Sequence, residues 1–381
     1  MRRASELERE QLNRLFAELC AIPSPFGAER ECAERVRTEL GGVGIDVAED
    51  DAAAATGAGA GNLLARIPGT GPRWVFLCAH LDTVPVTGPI EPVLVDDGWE
   101  NAAEAILGAD NKAAVAVLLQ AARRWSAEAP PAGVELLFTV SEENALAGAK
   151  AFDASVLRSG YGFVFDHASP IGEVVIASPT YYRLEADFRG AAAHAGIRPE
   201  EGRSAIAAAA RAVGAMRLGR LDEETTANVG TLCGGDGSTN VVPERCRLLA
   251  EARSLDRAKV EATVAEMVDR LYDAANVADC QCDVDVTVER LFEGYRERGD
   301  EPHVSVAERA LRACAYEPTR IATGGGSDAN AFVAAGVPCA NLANGTQRNH
   351  QPDERVSVAA LEGMLDVALA LAEAAAGEPP A

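Results

Sequence analysis

Apolar residues along this chain follow more than one rhythm, and the changes of rhythm mark its organisation. Near the amino end, Leu12, Leu15, Phe16 and Leu19 recur at helical spacing behind the acids Glu6, Glu8 and Glu10. That pattern predicts an amphipathic helix, not an export signal, which needs an unbroken apolar stretch and a cleavage site. From Asn62 to Asp166, the apolar runs WVFLCAHLD (74–82), VELLFTVSEE (134–143) and YGFVFD (161–166) alternate with helices expected over about 111–127 and near 145–154. Such alternation predicts an α/β layer with a mostly parallel sheet, with chemistry at the carboxyl ends of the strands. Each of those runs ends on acids: Asp82, Glu142 with Glu143, and Asp166.

From about Ile176 the order becomes strand (180–190), helix (202–216), strand (225–232), strand (245–254), helix (257–276) and strand (279–291). This β-α-β-β-α-β order is that of a ferredoxin-like α+β domain, whose ends lie close enough together for it to be an insertion. After about Glu293 the α/β character resumes with a helix (303–315), a strand (319–323), the glycine loop GGGSDANAF, a strand (337–342), the polar segment NGTQRNHQPDE and a helix over 357–375. The expected fold is therefore a discontinuous α/β catalytic domain, residues 1–176 and 293–381, interrupted by an inserted α+β domain at 177–292. The stretch DDAAAATGAGAG (50–61) is expected to be a low-complexity loop.

Composition narrows the function. The chain has 58 acidic and 35 basic residues and a formal charge of −23, which opposes attraction to nucleic-acid backbones or anionic membranes. The longer apolar runs, such as Ala113–Ala122, are too short to span a bilayer. Nine cysteines, an odd number scattered along the chain, fit reduced thiols in a cytoplasmic protein, and the close pair Cys280 and Cys282 is expected to serve packing.

The candidate chemistry is that of histidines and carboxylates, the donors of hydrolytic two-metal sites. His80 and Asp82 are two apart, so on a strand they face the same way and the acid can orient a ligating imidazole or its neighbours; an isolated pair of this kind is also a common polar strand end. Asp110 precedes an apolar helix, where it suits a ligand or a helix cap. Glu142 and Glu143 leave a strand together, so that one can bind metal while the other acts as a base; adjacent acids also occur in solvated turns. Asp166 ends an apolar strand, and His350, one of five histidines, lies on a polar loop.

The order and spacing of AHLDTVP, GADNKAA, SEEN, FDHAS, AAAHAG, TNVVPE, EARSLD, GGGSDAN and NHQPDE say more than any one motif. From about Leu12 to Ala375 the chain resembles the dinuclear metallopeptidase family M20, which includes glutamate carboxypeptidase, the aminoacylases, succinyl-diaminopimelate desuccinylase and peptidase T. It looks most like the peptidase T branch, because the acid after the Glu-Glu pair is Asp166 rather than Glu, and because of GGGSDANAF. The segment NHQPDE departs from the His-Ser-Pro or His-Thr of many members.

The resemblance implies a zinc-peptidase-like catalytic domain holding two divalent ions, zinc foremost, with manganese or cobalt as alternatives. His80 and Asp166 would bind one ion, Glu143 and His350 the other, and Asp110 both. Glu142 would be the general base and Asp82 would orient His80. His194, Asn240 and Arg253 would contact substrate, and Gly325 and Gly326 would admit its close approach. The resemblance also implies a cis peptide between Asp110 and Asn111, and a homodimer in which His194 reaches the neighbouring subunit's site. The activity expected is an aminopeptidase on short peptides, tripeptides in particular. The alternatives are an amidase, deacylase or carboxypeptidase on N-acyl amino acids, and a non-catalytic binding protein.

Overall fold

A computed structural model describes residues 3–278 and 280–377. The chain forms two units: Met1–Ile176 with Glu297–Ala322 and Ser327–Ala381, and Ala177–Arg296 with Thr323–Gly326. The expected limits 1 and 381 fall outside the described residues.

In the larger unit, the apolar runs become the strands Trp74–His80, Gly133–Thr139 and Gly162–His167, joined by Cys339–Ala343 into a parallel core. Leu63–Ile67 and Glu173–Ser178 flank this core antiparallel. Every residue of Gly133–Thr139 is buried, as expected of a parallel strand covered on both faces. The helix Glu6–Cys20 starts at a capping box between Ser5 and Glu8 and buries Leu12, Leu15, Phe16 and Leu19. It packs on the long helix Ala109–Ala127, which is buried along most of its length and also meets the final helix Val358–Ala376.

Two local features depart from the expected pattern. The 50–61 stretch is not all loop: the Asp50 carboxylate accepts the N–H groups of Ala52 (3.0 Å) and Asn62 (2.8 Å), and a short helix, Ala52–Thr56, forms between them. A small antiparallel sheet joins Pro92–Val95, Gly98–Asn101, Arg355–Ser357 and Thr346–Gln347. Its strands are short and mostly half-buried or exposed, and two of them fix both ends of the loop that bears His350.

In the smaller unit, the antiparallel sheet has the order Gly219–Arg220, Thr225–Gly234, Arg245–Ser254, Thr180–Arg189, Asp283–Phe292. Apart from the two-residue edge strand, this is the ferredoxin-like arrangement. Leu184, Ala186 and Phe188 alternate inward and share a core with helices Ala205–Ala215 and Arg257–Ala275. This unit runs past the expected limit of 292, because Tyr295 and Arg296 pair with Ser178 and Ala177. It also takes in Gly325 and Gly326, which were expected in the catalytic segment: Thr323 N–H donates to Ala177 O at 2.9 Å, and Ser178 Oγ donates to Gly325 O at 2.9 Å.

Cys280 and Cys282 precede their strand rather than lie on it, since the left-handed backbone at Gln281 (φ 42°) delays the strand to Asp283; both thiols are packed in the core. The expected strand start, Asp279, lies outside the described residues. Of the nine cysteines, Cys233 is exposed and the others are buried. Among the described residues, no helix is long and apolar enough to cross a membrane.

Candidate metal centre

The carboxyl ends of the parallel strands bring the first candidates together. His80 is the last residue of its strand and lies opposite Thr139, the last of the next, so the chain leaving Thr139 carries Glu142 and Glu143 to the same end of the sheet. Asp166 leaves the third parallel strand beside them. Asp110 and Asn111 interrupt the start of helix Ala109–Ala127 with non-helical backbone, and the peptide between them is cis.

The carboxylate of Asp110 is divided between two groups of side chains. Its Oδ1 lies 3.3 Å from His80 Nε2, which is itself 3.6 Å from Asp166 Oδ1. Its Oδ2 lies 3.2 Å from His350 Nε2, which is 2.9 Å from Glu143 Oε1. Within each of the trios His80, Asp110, Asp166 and Asp110, Glu143, His350, the donor atoms fall within 4.8 Å of one another. His80, Glu142 and Glu143 form a third such trio.

This density of buried acid has electrostatic consequences. Burial pushes the Glu142 carboxyl well above the usual carboxylate range, and the charges of Asp166 and Glu143 add to that shift. Burial and the charge of Asp110 push Asp166 up to about 8. Burial also opposes ionisation of Asp110, but the neighbouring imidazoles of His350 and His80 prevail and hold its carboxyl far below the usual range. Its acid partners Asp110 and Glu143 raise His350 to about 10, and Asp110 and Asp166 raise His80 well above 6.5 against the effect of burial. The cluster thus favours positive charge at the two imidazoles. Divalent cations fit the same demand, because Asp110 Oδ1 is buried with no hydrogen bond among the described residues and the histidine–carboxylate donor set suits zinc, manganese or cobalt.

Asp82 is fully buried here and faces both His80 and the Glu pair. The imidazole Nδ1 of His80 lies 3.0 Å from the main-chain oxygen of Asp82 and 3.5 Å from its carboxylate. The carboxylate also accepts the N–H groups of Glu142 (2.9 Å) and Glu143 (3.0 Å). Asp82 therefore ties the Glu pair to the His80 strand. Ser141, just before the pair, has left-handed backbone (φ 56°), as does His350 (φ 66°); both are uncommon for residues other than glycine.

Two buried acids of this unit carried no sequence signal. Asp328 accepts a 2.5 Å hydrogen bond from Thr139 Oγ1, and burial pushes its carboxyl up to about 6. Glu354 accepts the N–H groups of Gly108 and Asp110. Both residues sit inside quoted motifs, but an acid in a glycine-rich or polar stretch reads as solvated unless its burial is known.

The remaining candidates lie in the smaller unit. His194 and Asn240 are exposed and brought side by side: Ala195 N–H donates to Asn240 O at 2.9 Å, and His194 is bridged to Val241. Arg253 stacks over Tyr181, 4.1 Å from the ring centroid, and makes a two-point pair with Glu251 at 3.2 and 3.0 Å. Its third nitrogen, Nη1, is 3.4 Å from Gly324 O. A Cβ on Gly326 would stand 2.2 Å from the Phe292 ring, so its smallness serves packing; one on Gly325 would meet nothing nearer than 3.8 Å.

Known proteins share this architecture. Residues 76–374 match the profile of peptidase family M20/M25/M40. A crystal structure of the aminopeptidase PepT from Bacillus cereus ATCC 10987 superposes with a TM-score of 0.84 at 37% identity, covering 97% of this chain and 99% of that one. For a tripeptidase from Staphylococcus aureus subsp. aureus Mu50 the TM-score is 0.90 at 31% identity, with coverage of 97% and 99%. The uncharacterized protein YqjE of Bacillus subtilis (strain 168) is 36% identical over 363 residues, 95% of this chain and 97% of that protein. The chain belongs to peptidase family M20 and is a hydrolase of that family. Within it, the chain is peptidase T-like.

Proposed function

We propose that this protein is an aminopeptidase that removes the first residue of short peptides, tripeptides foremost, using two divalent ions, zinc foremost, with Glu142 as general base. The observation that carries the reading is the division of the Asp110 carboxylate, with Oδ1 toward His80 and Oδ2 toward His350. Similarity to an aminopeptidase and a tripeptidase supports the substrate class.

His80 and Asp166 would hold one ion, Glu143 and His350 the other, with Asp110 common to both. Bound there, the pair supplies Lewis acidity toward the scissile carbonyl and brings the pKa of a water toward neutrality. Glu142 takes the proton of the attacking water and delivers it to the leaving amine. Its buried, acid-rich surroundings raise its proton affinity, which suits both halves of that transfer. Asp82 keeps Glu142 and Glu143 in place through their N–H groups.

The larger unit is the catalytic domain and the smaller unit a lid and dimerisation domain. His194 donates to the oxyanion that develops on the carbonyl, Asn240 lies beside it, and Arg253 holds the substrate's terminal carboxylate through Nη1, with Gly325 admitting close approach. The Asp283–Phe292 strand is outermost in its sheet, which supports pairing of two copies. Unpaired, mostly buried thiols support a cytoplasmic setting.

Metal-loaded protein assayed on di- and tripeptides, N-blocked peptides and N-acyl amino acids tests the reading. Release of the first residue from unblocked tripeptides, lost on N-blocking, is the expected result. Cleavage of N-acyl amino acids with tripeptides untouched would replace it with the deacylase reading.

A further inference from the structure

The start of helix Ala109–Ala127 needs a partner that its own sequence does not supply. Gly108, its N-cap, has left-handed backbone (φ 76°) and offers no side-chain cap, while Asp110 and Asn111 are non-helical, so the N–H groups of this turn have no partners within the helix. Glu354, 1% exposed, fills the gap from far along the chain: Oε2 accepts the N–H of Gly108 at 2.7 Å and Oε1 that of Asp110 at 2.8 Å. Each oxygen of the carboxylate takes one amide, an arrangement that fixes the rotation of the turn as well as its position.

Glu354 also belongs to the loop of His350. Its own N–H donates to Gln351 O at 3.0 Å, Arg348 Nε donates to Asp353 O at 2.8 Å, and the next residue, Arg355, enters the strand that pairs with Gly98–Asn101. A stiff loop therefore carries His350 at one end and the acceptor of the Asp110 turn at the other. The 3.2 Å approach of His350 Nε2 to Asp110 Oδ2 is spanned by the residues between His350 and Glu354.

We propose that Glu354 is a positioning residue of the metal centre, whose carboxylate sets the turn that aims Asp110 at both ion sites and locks it in register with His350. This rests on the two-metal reading above. Groups that orient ligands typically change metal affinity 10- to 100-fold when altered. Gln at 354 keeps the shape but presents an NH2 group to one of the two N–H donors, whereas Asp keeps both acceptors on a shorter stem.

Metal-free wild type, Glu354→Gln and Glu354→Asp are titrated with zinc against a chromophoric chelator and with cobalt(II), whose visible absorption reports ligand geometry; far-ultraviolet circular dichroism checks folding. Wild type is expected to take up two equivalents. Glu354→Gln is expected to bind at least one of them about tenfold or more weakly, with a changed cobalt spectrum and an unchanged fold, and Glu354→Asp to fall between. If Glu354→Gln does not fold, a weakened affinity and changed spectrum in Glu354→Asp carry the same conclusion. Wild-type affinity and spectrum in every folded variant would overturn the positioning role while leaving the two-metal reading intact. Failure of the wild type itself to bind two equivalents would overturn that reading, and this proposal with it.

Discussion

Apart from the exposed His350, the two units present their candidate residues in opposite ways. In the larger unit, His80, Asp82, Asp110 and Asp328 are buried around one point, and each pairs with others of the group or with the chain that carries them. In the smaller unit, His194 and Asn240 are exposed on loops and bond locally: His194 Nδ1 accepts from Gly196 N–H at 3.2 Å, and Asn240 Oδ1 accepts from Ser238 Oγ at 2.6 Å. Buried acids are tolerated only when paired or satisfied, so their arrangement within one unit already constrains what they do. Exposed polar residues carry no such constraint, and their role is decided by what they meet.

The sharpest way to break this contrast lies in the larger unit. Glu142→Gln is expected to lower kcat by about 10⁴-fold, the upper end of general acid–base contributions, with metal content by elemental analysis unchanged. Glu143→Gln should instead release metal. Equal metal loss in both variants would show that the base and ligand roles are wrongly assigned.

A smaller effect is expected in the other unit. His194→Ala should reduce kcat by about 100-fold, as loss of one oxyanion donor does, without altering metal content. If His194 acts in the neighbouring subunit, mixing this variant with Glu142→Gln protein and allowing subunits to exchange should restore part of the activity by forming an intact site. No recovery in verified mixed dimers would place the histidine with its own subunit's site or outside catalysis.

The smallest effect supplies the baseline. Glu8, on the first helix, is held at about 2 by its hydrogen bond with Arg124, whose Nε donates to Oε1 at 2.6 Å. Its folded pKa lies below the unfolded value of about 4.5, so the contribution is complete above that pH and is lost as pH falls toward 2. Solvent screening limits it to about 1 kcal/mol or less. Thermal unfolding of wild type and Glu8→Gln should therefore differ slightly at pH 6 and converge near pH 2; a difference that widens on acidification would contradict the assignment.

Legibility in the sequence follows the same division. The strands that end at His80, just before Glu142 and beside Asp166 are largely apolar runs, so the run length places these residues near strand ends without further help. His350 has no such signal, and its ligand role came from the family resemblance. Glu354 was invisible, because a solvated glutamate and a glutamate sealed under a helix start look alike in a polar segment. Arg253 was expected to face a substrate carboxylate, and in the structure two of its nitrogens already face Glu251. That pair was readable: two residues apart on a strand, both side chains share a face. Gly326 was read for ligand approach, whereas the Phe292 ring that demands its smallness lies across an unpredictable tertiary contact.

The distribution of the thiols offers a practical handle. Cys233 stands exposed on the smaller unit while the other cysteines are shielded, and burial drives the thiols of Cys78 and Cys339 well above their usual range. Thiolate is the reactive form, so a maleimide dye should load at one site per chain in the native protein without any cysteine being replaced. Chains carrying donor and acceptor dyes there would report subunit exchange by energy transfer, giving the mixing experiment with His194→Ala an optical clock of its own.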